Sequence, residues 1–242
     1  MKAPEELMAK VMNALAEKYK NSLILKGGML LRLLNSPRAT QDLDYCWIRT
    51  KKRDIFAQEI KATLEQLAGI VVTGIQANSR GIFLDILDQN SGEKTKLEIN
   101  VEKSTYLPPK PLTNSGLTNL YSLKPQIIAT MDLSEAFSHK IAASLERNLV
   151  RDLYDLMQFE PLTPFDETTL RARLSNLEIN RAKPKKISLK EASKMLQDKI
   201  SSLTQKKIVD ELSAVFPREQ IVGLDMLIRA SVGRIIQRLE SL

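Results

Sequence analysis

One stretch, Leu23–Trp47 (LILKGGMLLRLLNSPRATQDLDYCW), constrains this chain more than any other. A short apolar run enters a Gly pair, a helix-like segment follows, and a second apolar run carries two carboxylates. Gly27 and Gly28 have no side chains, so backbone N–H groups at the start of the next helix can approach an anion closely, and the helix dipole favours negative charge there. Asp42 and Asp44 lie two apart in DLDYCWI, and residues i and i+2 of a strand project from one face. Side by side these carboxylates repel. They become useful together when they hold a divalent cation whose other ligands are water and substrate phosphates.

Apolar residues at 43% and charged residues at 27% are ordinary for a globular chain, and 242 residues can form one large domain or two modest ones. The formal net charge of +7 favours polyanionic partners such as nucleic acid. A single cysteine, Cys46, cannot form an internal disulfide, and together with a single histidine, His139, it cannot build a structural zinc site. No run of eighteen apolar residues occurs, and the N-terminal segment lacks the apolar core of a secretory signal. A cytoplasmic protein without a membrane partner is expected.

Leu7, Val11, Leu15 and Tyr19 recur every four residues, which predicts a packed amphipathic helix over 4–20. A second helix is expected over 51–68. The period then changes to that of strands in GIVVTGIQA, RGIFLDILD and KTKLEINVE, separated by turn-forming residues, giving two hairpin-connected strands or a three-strand meander. In the third run Glu98, Asn100 and Glu102 share a face opposite Leu97, Ile99 and Val101, so a glutamate there could reach the carboxylate pair if the strands are neighbours. A solvent-facing charged edge would look the same. Residues 103–125, with Pro108, Pro109, Pro111 and Pro125, read as a connector and not as an element. Everything beyond reads as helix: 132–147, 149–159, 166–177, 188–200, 204–215 and 218–241, with Ser188 and Glu191 in the form of a capping box.

On an unbroken helix Lys140, Arg147 and Arg151 would fall within about 40° of one another, a basic stripe with Asp152 and Asp155 beside it. Such a stripe can equally be a salt-bridged solvated face. Residues 171–190 hold seven Lys or Arg against one acid, Glu178. That segment suits either a solvated connector or a sequence-indifferent contact with RNA phosphates. His139 lies one helical position from Lys140 and points elsewhere, and Cys46 reads as a small buried thiol.

The Gly pair, the spacing and Asp42-Leu43-Asp44 resemble the entry motif of the polymerase-β-like nucleotidyltransferase superfamily. Lys26-Gly27-Gly28, Arg38, Thr40 and the two aspartates are similar to the AbiEii/AbiGii branch, the toxins of bacterial toxin–antitoxin pairs. That branch also carries a Lys on one helix and Arg-Asp-x-x-Asp-Leu on the next, matched here by Lys140 and Arg151-Asp152-Leu153-Tyr154-Asp155-Leu156. One departure is Met29, where the family usually has Thr or Ser, so a hydroxyl able to bond a phosphate oxygen is missing. The matching segments span about 22–48 and 132–160.

The resemblance implies an α+β chain. A polymerase-β-like nucleotidyltransferase domain with a mixed sheet is expected over 1–118, and over 119–242 a helical domain contributing Lys140 and RDLYDL to the active site. It implies Mg²⁺, with Mn²⁺ as an alternative, held by Asp42, Asp44 and a third carboxylate placed at Glu98, with Glu102 second. Lys26, Gly27, Gly28, Arg38, Thr40 and Arg147 are the nucleotide-binding candidates. Lys140 and an aspartate, Asp152 before Asp155, are expected to be required for activity alongside Asp42 and Asp44. The implied reaction moves NMP from an NTP to an acceptor hydroxyl, with the tRNA 3′ end or another RNA as leading acceptor and a cognate antitoxin as partner. Transfer to a protein or small molecule, and a degenerate chain that only binds RNA or a partner, are the alternatives. The sequence leaves the oligomeric state open.

Overall fold

In the computed structural model of the chain, residues 4–179, 183–213, 216 and 221–242 are described. The chain divides into two compact units, Met1–Asp132 and Leu133–Leu242.

The first unit is built on a seven-stranded mixed sheet. Its strands are β1 (Leu23–Lys26), β2 (Asp42–Ile48), β3 (Ile70–Asn78), β4 (Gly81–Asp88), β5 (Lys94–Glu102), β6 (Lys110–Thr113) and β7 (Ile127–Thr130), in the order β3-β4-β5-β2-β1-β7-β6. The three-strand meander forms as β3-β4-β5, antiparallel throughout. β5 then pairs parallel to β2, β2 antiparallel to β1, β1 parallel to β7, and β7 antiparallel to β6.

Alternation divides the sheet into two faces. Leu23, Leu25, Leu43, Tyr45, Trp47, Leu97 and Ile99 join one core cluster with Leu7, Met8, Val11, Met12 and Leu15 of helix α1 (Glu5–Tyr19). Phe56, Ala57, Ile60 and Leu64 of α3 (Arg53–Leu64) complete it, and the Phe56 ring stacks on Trp47 at a centroid distance of 3.9 Å. A large aromatic fully buried in such a core contributes about 3–5 kcal/mol relative to alanine. The other face carries Lys26, Asp42, Asp44, Cys46 and Glu98. Burial of one face therefore fixes which residues the other presents.

The expectation of a mere connector over 103–125 is corrected here. It contains β6 and a short helix α4 (Ser115–Thr118), and β7 follows it. β6 is the outermost strand of the sheet, where a Pro such as Pro111 is tolerated because no further strand needs its N–H. The expected domain boundary at 118/119 precedes β7, whereas the compact units divide at 132/133 because β7 belongs to the sheet.

The second unit is helical: α5 (Leu133–Glu146), α6 (Val150–Phe159), α7 (Glu167–Leu174), α8 (Leu189–Ser201), α9 (Gln205–Leu212) and α10 (Leu224–Glu240). Ile141, Leu145, Leu156, Leu170, Leu196, Ile228, Val232 and Ile235 are buried within it. α8 starts with the predicted capping box, in which the Ser188 side chain accepts from Glu191 N–H and Glu191 accepts from Ser188 N–H. At the end of α6, Glu160 accepts from Arg234 of α10 at 2.6 Å, with Arg238 at 3.4 Å. The predicted helices over 204–215 and 218–241 include residues outside the described set. Among the described residues no helix is long and apolar enough to cross a membrane.

Candidate active site

β1 ends at Lys26 and the chain turns directly into α2 (Gly27–Leu33). Gly27 makes this turn at φ +72°, a left-handed conformation that other residues adopt only at a cost. Its missing side chain also makes room: a methyl group there would overlap the Asp44 carboxylate. At Gly28 a methyl group would stand 2.9 Å from Arg38 Nη2 and 2.9 Å from Thr40 Oγ1. The Gly pair thus lets Asp44, Arg38 and Thr40 close over the backbone of the turn. α2 has only seven residues, so its dipole is slight, and the positive potential here belongs to Lys26, Arg38 and the local amides.

Strand register gathers the rest. Lys26 pairs across from Asp44 in the antiparallel β1-β2 ladder, and Asp44 pairs with Glu98, and Asp42 with Lys96, in the parallel β2-β5 ladder. The register sets Glu98 opposite Asp44 and leaves Glu102 four residues further along, opposite Ile48. Burial is the main cause that raises the Glu98 carboxyl above its ordinary pKa, followed by the charges of Asp44 and Asp42, while Lys26 and Lys96 act in the opposite sense. Asp42, Asp44 and Glu98 are all partly exposed, as groups that meet a substrate must be.

As donors these three fit a hard divalent cation, because they offer carboxylate oxygens from adjacent strands in a field that a cation would relieve. Their side chains are not drawn into a closed ligand set: among the described residues no group of three or more His, Cys, Asp or Glu is gathered as a metal cage.

In the helical unit the helices expected over 132–147 and 149–159 are separate, so the stripe of an unbroken helix does not form. The helix breaks between Glu146 and Val150, so Arg147 lies in the link between α5 and α6. The cations instead pair with the carboxylates of the next helix. Lys140 Nζ donates to Asp155 Oδ2 at 2.6 Å, and Arg147 Nη2 donates to Asp152 Oδ1 at 2.9 Å. Asp152 Oδ2 is buried without a hydrogen-bond partner. Burial raises the Asp152 carboxyl above the ordinary range, with Lys140 and Arg147 opposing the shift.

Lys199 of α8 was not anticipated as part of this group. It donates to the Arg147 carbonyl at 2.8 Å, and burial lowers its ammonium pKa while the Asp152 charge acts the other way. Nothing in the local sequence around Lys199 marks it, since its partners lie about fifty residues earlier. His139 lies 3.7 Å from Glu135 on its own helix. In the basic segment 171–190, Arg171 and Arg173 pair with Glu167 and Glu146, Arg181 lies outside the described residues, and Lys183, Lys185, Lys186 and Lys190 are exposed.

The family described as "Nucleotidyl transferase AbiEii toxin, Type IV TA system" matches residues 10–223, most of the chain. The chain belongs to the AbiEii nucleotidyltransferase toxin family. Solved structures share the fold of this chain. MenT4, a nucleotidyltransferase toxin from Mycobacterium tuberculosis, superposes with a TM-score of 0.67 at 17% identity, covering 97% of this chain and 85% of that one. JHP933 from Helicobacter pylori superposes with a TM-score of 0.58 at 16% identity, covering 98% and 92%. No curated protein matches the chain. As an AbiEii member the chain is a nucleotidyltransferase of toxin type, and a toxin–antitoxin system implies an antitoxin as its counterpart.

Proposed function

We propose that the chain transfers NMP from an NTP to an acceptor hydroxyl of RNA, most specifically the 3′ end of tRNA, with pyrophosphate leaving and Mg²⁺ or Mn²⁺ held by Asp42, Asp44 and Glu98. The observation that carries this reading is the register that lines up Lys26, Asp44 and Glu98 over the Gly27 turn. A divalent cation bound by the three carboxylates supplies positive charge to the phosphate oxygens.

The chain's own residues do the remaining work. Amides of the Gly27–Gly28 turn donate to phosphate oxygens, Lys26 and Arg38 balance the triphosphate charge, and the Thr40 hydroxyl beside Gly28 donates to the Asp42 carbonyl at 3.3 Å, holding the start of β2 against the turn. Activity also requires Lys140 and Asp152 of the helical unit, with Asp155 orienting Lys140 and Arg147 orienting Asp152. The net charge of +7 supports an RNA acceptor, as a polyanion is attracted whatever its sequence.

The test is incubation of the protein with each labelled NTP, Mg²⁺ and total tRNA, beside Asp44→Ala and Lys140→Ala. Label on tRNA with the wild type alone is the expected result. Label on protein in place of tRNA would overturn the choice of acceptor, and undiminished labelling by Asp44→Ala would overturn the site.

A further inference from the structure

Several surface cations of the first unit are paired: Lys10 with Glu6, Arg32 with Glu5, Lys51 with Glu59 and Lys61 with Glu65. Three that are not share one pocket. Arg49, Arg53 and Lys103 line a cavity of about 490 Å³ together with Glu102, Ser104, Thr105 and Tyr106. Among the described residues no carboxylate forms an ion pair with any of the three. Their backbone is held firmly, since Arg49 N–H donates to the Glu102 carbonyl at the end of the β2-β5 ladder.

The two guanidinium groups are pre-positioned. Arg49 Nε donates to the Lys51 carbonyl at 3.1 Å, and Arg53 Nη1 donates to the Asn78 carbonyl at 3.0 Å. Each is fixed through one nitrogen and keeps others for a ligand, and Arg53 Nε is buried with no partner at all.

Tyr106 supplies the second chemistry. It is 53% exposed on a rim made of charged and hydroxyl side chains. A large ring left in water beside unpaired guanidinium groups makes a stacking platform next to a phosphate seat, the pairing of features that single-stranded nucleic acid recognises. The pocket lies beyond the end of the β2-β5 ladder, beside Val101 and the start of α3, on the face opposite to that of Asp42, Asp44 and Glu98.

We propose that this pocket is a docking subsite for one nucleotide of a single-stranded RNA, its phosphate held by Arg49, Arg53 and Lys103 and its base stacked on Tyr106. The subsite rests on the reading of the chain as an RNA-modifying transferase. Glu102 accepts from a ribose hydroxyl or a base amine at the same pocket.

The test is fluorescence anisotropy of an unstructured, labelled oligoribonucleotide with the full chain, without NTP or metal, so that binding is read apart from transfer. Arg49→Ala with Arg53→Ala, and separately Tyr106→Ala, should each weaken binding roughly 10-fold. Tyr106→Phe should bind as wild type, and the salt slope of the arginine variant should fall by about 0.7 for each phosphate it no longer neutralises. Wild-type affinity in both alanine variants, or no oligonucleotide binding by the wild type, would each overturn the subsite. Transfer measured on the same proteins separates the two readings: label on RNA with unchanged binding by the variants removes the subsite alone, and lost binding with no label from the wild type removes the reaction alone.

Discussion

Asp152 and Asp155 are three residues apart on one helix and equally buried, yet their removal should have opposite consequences. Asp155 is 1% exposed and accepts from Lys140, itself only 15% exposed, at 2.6 Å. Asp155→Asn takes the countercharge from a lysine that cannot turn to water, and breaking a buried pair in this way costs about 3–5 kcal/mol. Asp152 pairs with Arg147, which is 46% exposed and can be solvated once released, so that loss is only about 0.2–1 kcal/mol. Against it stands relief of a buried charge whose Oδ2 has no partner. Asp152→Asn should therefore change stability by no more than about 1 kcal/mol.

The pH dependence has a definite sign. The folded-state pKa of Asp152 is raised, first by burial, so its favourable contribution is present below the ordinary carboxylate pKa and lost as pH rises through the folded value. The Asn variant should gain on wild type between acidic and neutral pH. Urea unfolding followed by far-UV circular dichroism, repeated at both pH values, measures this. Alongside it, Asp152→Asn should lose transfer activity by a factor of roughly 100 or more if, as proposed, activity requires this carboxylate. A loss of stability as large as that of Asp155→Asn would refute the reasoning, because it would mean that Asp152 is held for its ion pair.

Three further outcomes are expected. Gly27→Ala, forced to hold φ +72° and to push against the Asp44 carboxylate, should lose about 1–2 kcal/mol from backbone strain alone and most transfer activity; normal activity at normal stability would contradict the turn's role. Asp44→Asn should abolish transfer while leaving the melting temperature unchanged or higher, since it removes repulsion with Glu98, and a cooperative loss of the fold would assign Asp44 to structure. Glu160, whose pKa is lowered first by its hydrogen bond from Arg234, contributes stability above the ordinary carboxylate pKa that is lost as pH falls through the depressed folded value. Glu160→Gln should accordingly flatten the acid side of the melting curve, and an unchanged acid limb would count against that pairing.

The core-facing alternation of Leu43, Tyr45 and Trp47, the helical period of α1 and the meander were legible because each is a local pattern. The pairing of β2 with both β1 and β5 was not, since nothing in Lys26, Asp44 or Glu98 alone specifies register; it follows from burying the opposite face. β6 was hidden by Pro111, which is permissible only because the strand lies at the edge. β7 was hidden by its length of four residues. The break between α5 and α6 was legible, as separate helices over 132–147 and 149–159, but the pairing it allows was not: it turns the basic stripe of an unbroken helix into two ion pairs. The Arg49–Tyr106 pocket escaped because its halves lie on separate segments joined by the β2-β5 ladder.

Met29 stands where the family resemblance leads one to expect Thr or Ser, which would be read from sequence as a lost phosphate ligand. Its place in the fold argues otherwise. Met29 is fully buried and joins the core cluster with α1, on the apolar side of the sheet. The hydroxyl beside the Gly turn belongs instead to Thr40, whose Oγ1 lies against Gly28. Met29→Thr should therefore not improve transfer. It should lower stability by about 2–4 kcal/mol, combining the cavity left by the longer thioether with a hydroxyl buried among apolar groups. Thr40→Val, nearly equal in volume, should reduce activity with a smaller effect on stability. Faster transfer by Met29→Thr, or full activity in Thr40→Val, would show that the hydroxyl is needed at position 29 and not at 40.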